Sequence, residues 1–505
     1  MPSERRLHPS SVLFGLGKVA KDLALPGLVF LFTAGGGGWH WWDWQVWALL
    51  LVIPYTLVSI ARHLSFRYRY EGSEMVIRTG LVVRNERHIP YARIQNLDAV
   101  QNVLHRLLGV VEVRVETGGG QEPEARMSVV PLAAFEEMRR RVFAEAREAG
   151  SMVEEAPASV PARTLLRLSP LEAGLFGFIQ NRGLVFLGAA FGLLWEIGMT
   201  DRILGRIFGE EVSGRGAVRD ILRGAFGAIE LPVGRIAFTL LAFGGFLLAV
   251  RLLSMIWAFF RLHGFQLRRI GEDLRTDYGL LTRVSATIPL RRIQTLTVRD
   301  GVLHRLFGRV SVRVDTAGAD GGQENGAPQR EWLAPILRRE ELPALLGEVL
   351  PGLDLAAVSW TPAPPRAFRR KLKSEVLFAL LVTLLSALVL RWWAFALLPG
   401  LLAWAFASAR LYVRHLGWAV SGDAVLFRSG WFWRQVSVAP FAKIQAVSLH
   451  ESPFDRRAAM ARVRVDTAGA KKASHRVDIP YLPRETALSL CRLLSTEAGG
   501  TAFRW

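Results

Sequence analysis

The amino-acid sequence predicts an α+β membrane protein: six transmembrane helices form three hairpins, and each hairpin is followed by a small β-barrel-like domain with a C-terminal capping helix. Three observations carry that expectation. Apolar runs of bilayer length arrive in pairs, positive charge gathers beside their ends, and one polar segment recurs three times without a gap.

A helix that crosses the hydrocarbon core needs about 20 mostly apolar residues, because each advances about 1.5 Å through about 30 Å of lipid. Trp41 to Ile60, Leu171 to Gly198 and Ile236 to Phe260 meet that length. Ser374 to Leu411 is too long for one crossing and is interrupted by Arg391 and Pro399-Gly400, which predicts two helices with a turn near Arg391. Ser11 to Ala34 completes the first pair. Lys18, Lys21 and Asp22 lie in its first half and only Leu23 to Phe32 is cleanly apolar, which fits an interfacial start. A cleaved leader is the competing reading of that segment, with Arg5-Arg6 as its basic start but no good small-residue cleavage site. Composition agrees with lipid as solvent, since 51% of the chain is hydrophobic and it carries 16 Trp and 28 Phe. Core helices of a large soluble protein are the alternative, but several of these runs exceed their usual length.

Lys and Arg number 63 against 44 Asp and Glu, a formal charge of +19 that calls for an anionic partner. Its placement favours lipid over nucleic acid. Arg5 and Arg6 precede the first pair of spans, and Arg62, Arg67 and Arg69 follow it; Arg261, Arg268 and Arg269 follow the fourth span, and Arg366, Arg369, Arg370, Lys371 and Lys373 precede the fifth. The positive-inside rule puts all of these on the cytoplasmic side. Gly35 to Trp44, without Lys or Arg, and the loop 199–234 then face outward. No basic stripe interleaved with aromatics marks a nucleic-acid surface. The single cysteine, Cys491, excludes a disulfide or a multi-cysteine metal site within one chain.

The expected organisation is a tail and first hairpin over 1–61, a polar domain over 62–150, a linker over 151–170 and a second hairpin over 171–260. A second domain over 261–352, a Pro-rich basic linker over 353–373, a third hairpin over 374–411 and a third domain over 412–497 complete it.

The repeat is explicit. Gly80 to Thr117 reads GLVVRNERHIPYARIQNLDAVQNVLHRLLGVVEVRVET, Gly279 to Thr316 reads GLLTRVSATIPLRRIQTLTVRDGVLHRLFGRVSVRVDT, and Gly430 to Thr467 reads GWFWRQVSVAPFAKIQAVSLHESPFDRRAAMARVRVDT. In each copy the pattern predicts strand, Gly turn, strand and a closing Pro (Pro90, Pro289, Pro440), then alternating strands interrupted by a short helical turn such as Asn102 to Leu108. An amphipathic helix ends each copy, over Leu132 to Ala149, Glu340 to Leu350 and Arg484 to Leu494, placed to plug a small barrel.

This order of hairpin, Gly turn, Ile-Pro, Arg-Ile-Gln and Val-Arg-Val-Asp-Thr-Ala-Gly resembles the bacterial membrane-flanked domain family, once catalogued as a domain of unknown function. It is similar in particular to three-copy members, over essentially the whole length. The resemblance implies a pleckstrin-homology-like (PH-like) fold for each copy, residence in the bacterial inner membrane, and a shorter single-domain relative as a partner in a hetero-complex. Copy three departs where Leu104-His105-Arg106 and Leu303-His304-Arg305 become Phe454-Asp455-Arg456, which puts a shared role for the histidine in doubt.

No catalytic constellation converges on the repeated scaffold, and no cofactor or metal is expected. The ten histidines are dispersed, Gly35 to Gly38 lacks the Lys-Ser/Thr of a phosphate loop, and His105 and His304 fit structural roles better than chemical ones. Cations that recur in register are the candidate binding face: Arg84, Arg93, Arg106 and Arg114; Arg283, Arg292, Arg305 and Arg313; Arg434, Lys443, Arg456 and Arg464. Their competing role is structural, the last of each set paired with Glu116, Asp315 or Asp466, and Gln95, Gln294 and Gln445 fit fold-stabilising hydrogen bonds. The expected function is a non-enzymatic membrane scaffold whose three cytoplasmic domains bind a protein, a peptide or anionic lipid headgroups. A component of a transport or export system is the alternative. Against it, charges within the spans are scarce, with Glu172, Glu196 and Arg251 at or near their ends. An enzyme acting on lipid or peptide is the third class.

Overall fold

The computed structural model describes residues 5–11, 13–15, 17, 56–57, 61, 65–80, 84–91, 94–117, 125–148, 163–180, 183, 188, 233–316, 332–467 and 477–500. They form three units of one plan. In unit one, β1 (Arg5–Arg6), β2 (Arg67–Tyr70), β3 (Glu74–Thr79) and β4 (Asn85–Pro90) make an antiparallel sheet in that order. A meander follows: β5 (Ile94–Gln101), the short helix α1 (Val103–Leu107), β6 (Val110–Thr117) and β7 (Ala125–Pro131), closed by α2 (Leu132–Glu148). Period two sends Val111, Val113 and Val115 of β6 inward, and Phe135 and Met138, one helical turn apart on α2, cover them.

Unit two repeats this with β8 (Arg163–Arg167), the helices α3 (Pro170–Gln180) and α4 (Val233–Leu262), then β9 (Gln266–Ile270), β10 (Asp273–Tyr278) and β11 (Arg283–Pro289). Its meander is β12 (Ile293–Gly301), α5 (Val302–Leu306), β13 (Arg309–Thr316) and β14 (Trp332–Arg338), closed by α6 (Leu342–Val349). Unit three comprises β15 (Thr361–Pro362), α7 (Pro365–Leu390), α8 (Leu398–His415), β16 (Gly417–Ser421), β17 (Ala424–Ser429) and β18 (Trp433–Pro440). It ends with β19 (Ile444–His450), α9 (Pro453–Arg457), β20 (Met460–Thr467), β21 (Val477–Pro483) and α10 (Arg484–Gly500).

Two features go beyond the sequence expectation. The segments 151–170 and 353–373, expected as linkers, contain β8 and β15 together with the starts of α3 and α7. Each leading strand pairs with the first strand after its hairpin, β1 with β2, β8 with β9 and β15 with β16, so a hairpin is an insertion between neighbouring strands. Strands of two to five residues are too short for periodicity to reveal. The sheets, moreover, do not stop at unit boundaries. One seven-stranded sheet runs β7-β6-β5-β11-β10-β9-β8 and another β14-β13-β12-β18-β17-β16-β15, with β1-β2-β3-β4 and β19-β20-β21 at the two ends.

The joining pairs use one register. Arg283, Val284 and Ser285 lie opposite Gln101, Val100 and Ala99, and Arg434, Gln435 and Val436 lie opposite Asp300, Arg299 and Val298. Repeat alignment makes Arg283 equivalent to Arg434 and Gln101 equivalent to Asp300, so both junctions are the same contact. Packing follows the pairing. Ala419, Leu426 and Val438 of unit three share one apolar cluster with Leu296 and Val298 of unit two.

The helices pack through small residues, as helix pairs in lipid do. A Cβ on Gly177 of α3 would meet Ala258 Cβ of α4 at 2.7 Å, and Ala405 and Ala409 are buried on α8. The turn expected near Arg391 is there: a 3₁₀ segment, Arg391–Leu397, joins α7 to α8, with Arg391 at φ 52°. Six transmembrane helices were expected. Among the described residues two stretches, Gly244–Leu262 and Arg391–His415, are long and apolar enough to cross a membrane. Trp41 to Ile60 and Ser11 to Ala34 lie almost wholly outside the described residues, as do the second half of Leu171 to Gly198 and the loop 199–232. On α7, Leu377, Leu381, Leu384 and Leu388 are exposed, a face suited to lipid.

Two turn positions test this plan. Gly80, Gly279 and Gly430 take φ of 106°, 109° and 81°, and a Cβ on Gly279 would fall on the Thr282 carbonyl. Gly279→Ala should therefore cost about 2 kcal/mol, seen as a lower thermal midpoint of the detergent-solubilised chain. After the short helix, Gly109 and Gly308 adopt φ of 65° and 61°, and the third copy places Ala459 there at φ 52°. Removing its Cβ relieves left-handed strain at some cost in unfolded-chain entropy, so Ala459→Gly should raise stability by about 0.5–1 kcal/mol while Gly308→Ala lowers it.

Candidate functional site

The structure divides the twelve recurring cations by location. Arg106 on α1 donates from Nη1 to the Leu280 carbonyl of unit two at 3.0 Å, and Arg305 on α5 donates from Nη2 to the Trp431 carbonyl of unit three at 3.3 Å. These are equivalent bonds across the two junctions. Lys443 donates to the Arg291 carbonyl of unit two, and burial, followed by the nearby Arg291 charge, lowers its pKa. Arg283 and Arg434 lie at the starts of the joining strands, as the first residue of β11 and the second of β18.

Others serve the cores. Arg114, with only 3% of its side chain exposed, pairs with Glu112 at 2.9 Å and lies opposite Asp98, itself fully buried. Arg292 is buried, Arg313 lies over the Trp332 ring at 3.9 Å, and Arg464 reaches Asp478 on the neighbouring strand at 3.7 Å. Asp315, two residues beyond Arg313, accepts from Thr295 Oγ1 on the paired strand at 3.0 Å. The Glu116 side chain and Arg93 lie outside the described residues. Arg84 and Arg456 are exposed at the two ends of the array.

Each junction frames a cleft. That between units one and two holds about 330 Å³ and is lined by Arg106, Arg268 and Arg283 with His263, Asp277 and Tyr278. That between units two and three holds about 620 Å³, and Arg251, Arg299 and Arg434 face it together with His304, Trp433 and Gln180. Gln180 ends α3 and Arg251 lies on α4, so the larger cleft opens beside the hairpin. Arg251 donates from Nη1 to the Phe178 carbonyl at 2.5 Å. Arg434 donates from Nη2 to His415 Nε2 at 2.6 Å, and burial, then the Arg305 charge, lowers its pKa. The nearby carboxylate, Asp300, is already engaged by Arg339 at 2.8 Å. Three guanidinium groups around one cleft suit a planar or tetrahedral oxyanion. Repeat searching missed Arg251 and Arg299, since Val100 and His450 stand at the Arg299 position in the other copies.

The short helices lie at the same end as the hairpins. Leu107 is 80% and Leu306 74% exposed, Phe307 meets Phe178 of α3 edge to face at 6.1 Å, and Arg370 of α7 lies over exposed Phe454 at 5.4 Å. Within these helices the histidines are buried. His105 Nε2 meets the Ser128 carbonyl at 3.1 Å and His304 Nε2 the Ser311 hydroxyl at 2.8 Å. Asp455, their counterpart, forms a capping box with Ser452 and pairs with Arg370 at 3.0 Å. Gln294 is buried and donates to the Arg292 carbonyl at 3.3 Å, whereas Gln445 is exposed. Among the described residues no group of three His, Cys, Asp or Glu side chains is placed to hold a metal.

Burial lowers the His304 pKa below its ordinary value, with Asp300 opposing and Arg305 adding to the shift. The unfolded chain therefore binds the proton first, and the contribution of His304 to stability is present above about pH 6.5 and is lost as pH falls below it. The thermal midpoint should drop between about pH 7.5 and pH 5.5, and His304→Gln should reduce that drop; an unchanged slope would refute the assignment.

The bacterial PH domain family matches the chain three times, over residues 12–146, 225–351 and 371–498. Over 494 residues the chain is 25% identical to the UPF0699 transmembrane protein YdbT of Bacillus subtilis (strain 168), with 94% of each chain covered. No solved structure matches.

Proposed function

This chain belongs to the bacterial PH domain family, and from that premise we propose that it is a non-enzymatic, multi-pass membrane scaffold whose three PH-like units face the cytoplasm and whose unit-two/unit-three cleft binds the headgroup of an anionic phospholipid. One observation carries the reading. Arg251, Arg299 and Arg434 surround a cleft of headgroup size beside an apolar helix long enough to cross a bilayer. A lipid phosphate there would meet fixed donors while its chains run along exposed Leu248 and Leu252 of α4. The exposed leucines of α1 and α5 would rest in the interfacial layer, fixing the height of the sheets. The Bacillus subtilis relative, a transmembrane protein by name, supports the membrane part of this reading. The positive charge beside the spans supports the cytoplasmic orientation.

Each cation near an anionic surface contributes on the order of 1 kcal/mol, so three correspond to about 100-fold in affinity. Native mass spectrometry of the detergent-purified chain should retain phosphatidylglycerol in preference to phosphatidylcholine. The combined Arg251→Ala, Arg299→Ala and Arg434→Ala variant should lose that preference by about that factor. Equal retention of both lipids by the unmodified chain would sink the proposal.

A further inference from the structure

We propose that the two open sheet edges, β4 at one end of the array and β19 at the other, join copies of this chain head to tail. Among the described residues, β4 has a partner only in β3 and β19 only in β20. Their repeat equivalents inside the chain are never open: β11 and β18 stand where β4 stands, β5 and β12 where β19 stands, and these four make the two junctions. A second copy is the occupant whose edge is already known to fit, because the chain makes that contact twice with itself.

Burial follows the pairing. Every residue of β12 except Arg299 is buried, whereas in β19 only Ile444 is. Val284 and Ala286 of β11 are buried, whereas their counterparts Asn85 and Arg87 of β4 are exposed. The shared register then fixes the contact between copies. Leu449 would lie opposite Glu86 as Val298 lies opposite Val436, and Glu451 opposite Arg84 as Asp300 lies opposite Arg434. The last pairing sets opposite charges together at the strand end, as the second junction does. Arg456, exposed on α9, stands where Arg106 and Arg305 donate to the next unit. Such a contact is heterologous and builds a closed ring or an open row. Charged residues such as Glu86 and Arg87 also serve to blunt edges in monomeric sheets, so a monomer is the contrary outcome.

Full-length chains carrying Cys491→Ser and either Glu86→Cys or Leu449→Cys, co-reconstituted in liposomes and oxidised with copper phenanthroline, test the contact. Val298→Cys with Val436→Cys in one chain is the folded-state control, and His88→Cys mixed with His450→Cys is the pair displaced by three positions. The matched mixture should give disulfide-linked dimers, a chain bearing both matched cysteines a ladder, and the displaced mixture neither. Glu451→Arg should reduce the linkage and Arg84→Glu in the partner copy should restore it. Linkage of the matched pair no greater than that of the displaced pair, with the control closing, would overturn the proposal, as would a charge swap that restores nothing.

Discussion

Antiparallel pairing between a strand of one unit and a strand of the next is the constraint on which the rest of this structure depends. An edge strand left open exposes a row of unmet N–H and C=O groups, and closing it with a neighbour satisfies them while covering the apolar face beneath. Here that closure occurs at β5–β11 and β12–β18, and the core follows the sheet across the second boundary. Flexible linkage of the units is thereby ruled out at these junctions. Bending either would break a ladder of main-chain bonds, and bending the second would open a shared apolar cluster in the same motion.

The recurring cations take their roles from that arrangement. Arg106 and Arg305 reach beyond their own units and fasten each to a carbonyl of the next. Arg283 and Arg434 lie near the starts of joining strands and face clefts that exist only because two units meet there. A cleft with contributions from a hairpin, a meander and the first sheet of the following unit cannot be assembled by one unit alone. The single PH-like unit is thus too small a part of the chain to hold the larger cleft.

Much of the local structure was legible in the sequence. The glycine turns, the short helix after the Ile-Gln strand, the capping helix and the turn at Arg391 each follow from a residue whose backbone or burial preference admits few alternatives. Pairing between units was not legible. A strand that alternates Leu296, Val298 reads the same whether its edge meets water, its own sheet or a neighbour, because hydropathy records the faces of a strand and not its edges. The leading strands were hidden for a related reason: Thr361-Pro362 and Arg163–Arg167 are held by a sheet completed across an inserted hairpin. The larger site escaped because Arg251 and Arg299 are not repeated, and the search for recurrence selects what the fold shares.

His304 donates to or accepts from Ser311 within a buried core, and Asp455 at the same repeat position instead caps its helix and holds Arg370 at the start of α7. That exchanges a contact between short helix and sheet for one between short helix and hairpin. The edge strands differ as well: β11 carries Ser285 and Thr287 where β4 carries Glu86 and His88, and these pair with Arg78 and Glu74 on β3 of their own sheet. Ser285 too bonds within its own sheet, accepting from Arg275 at 3.2 Å, so the copies differ at this strand in the size and charge of the side chains and not in where those side chains bond.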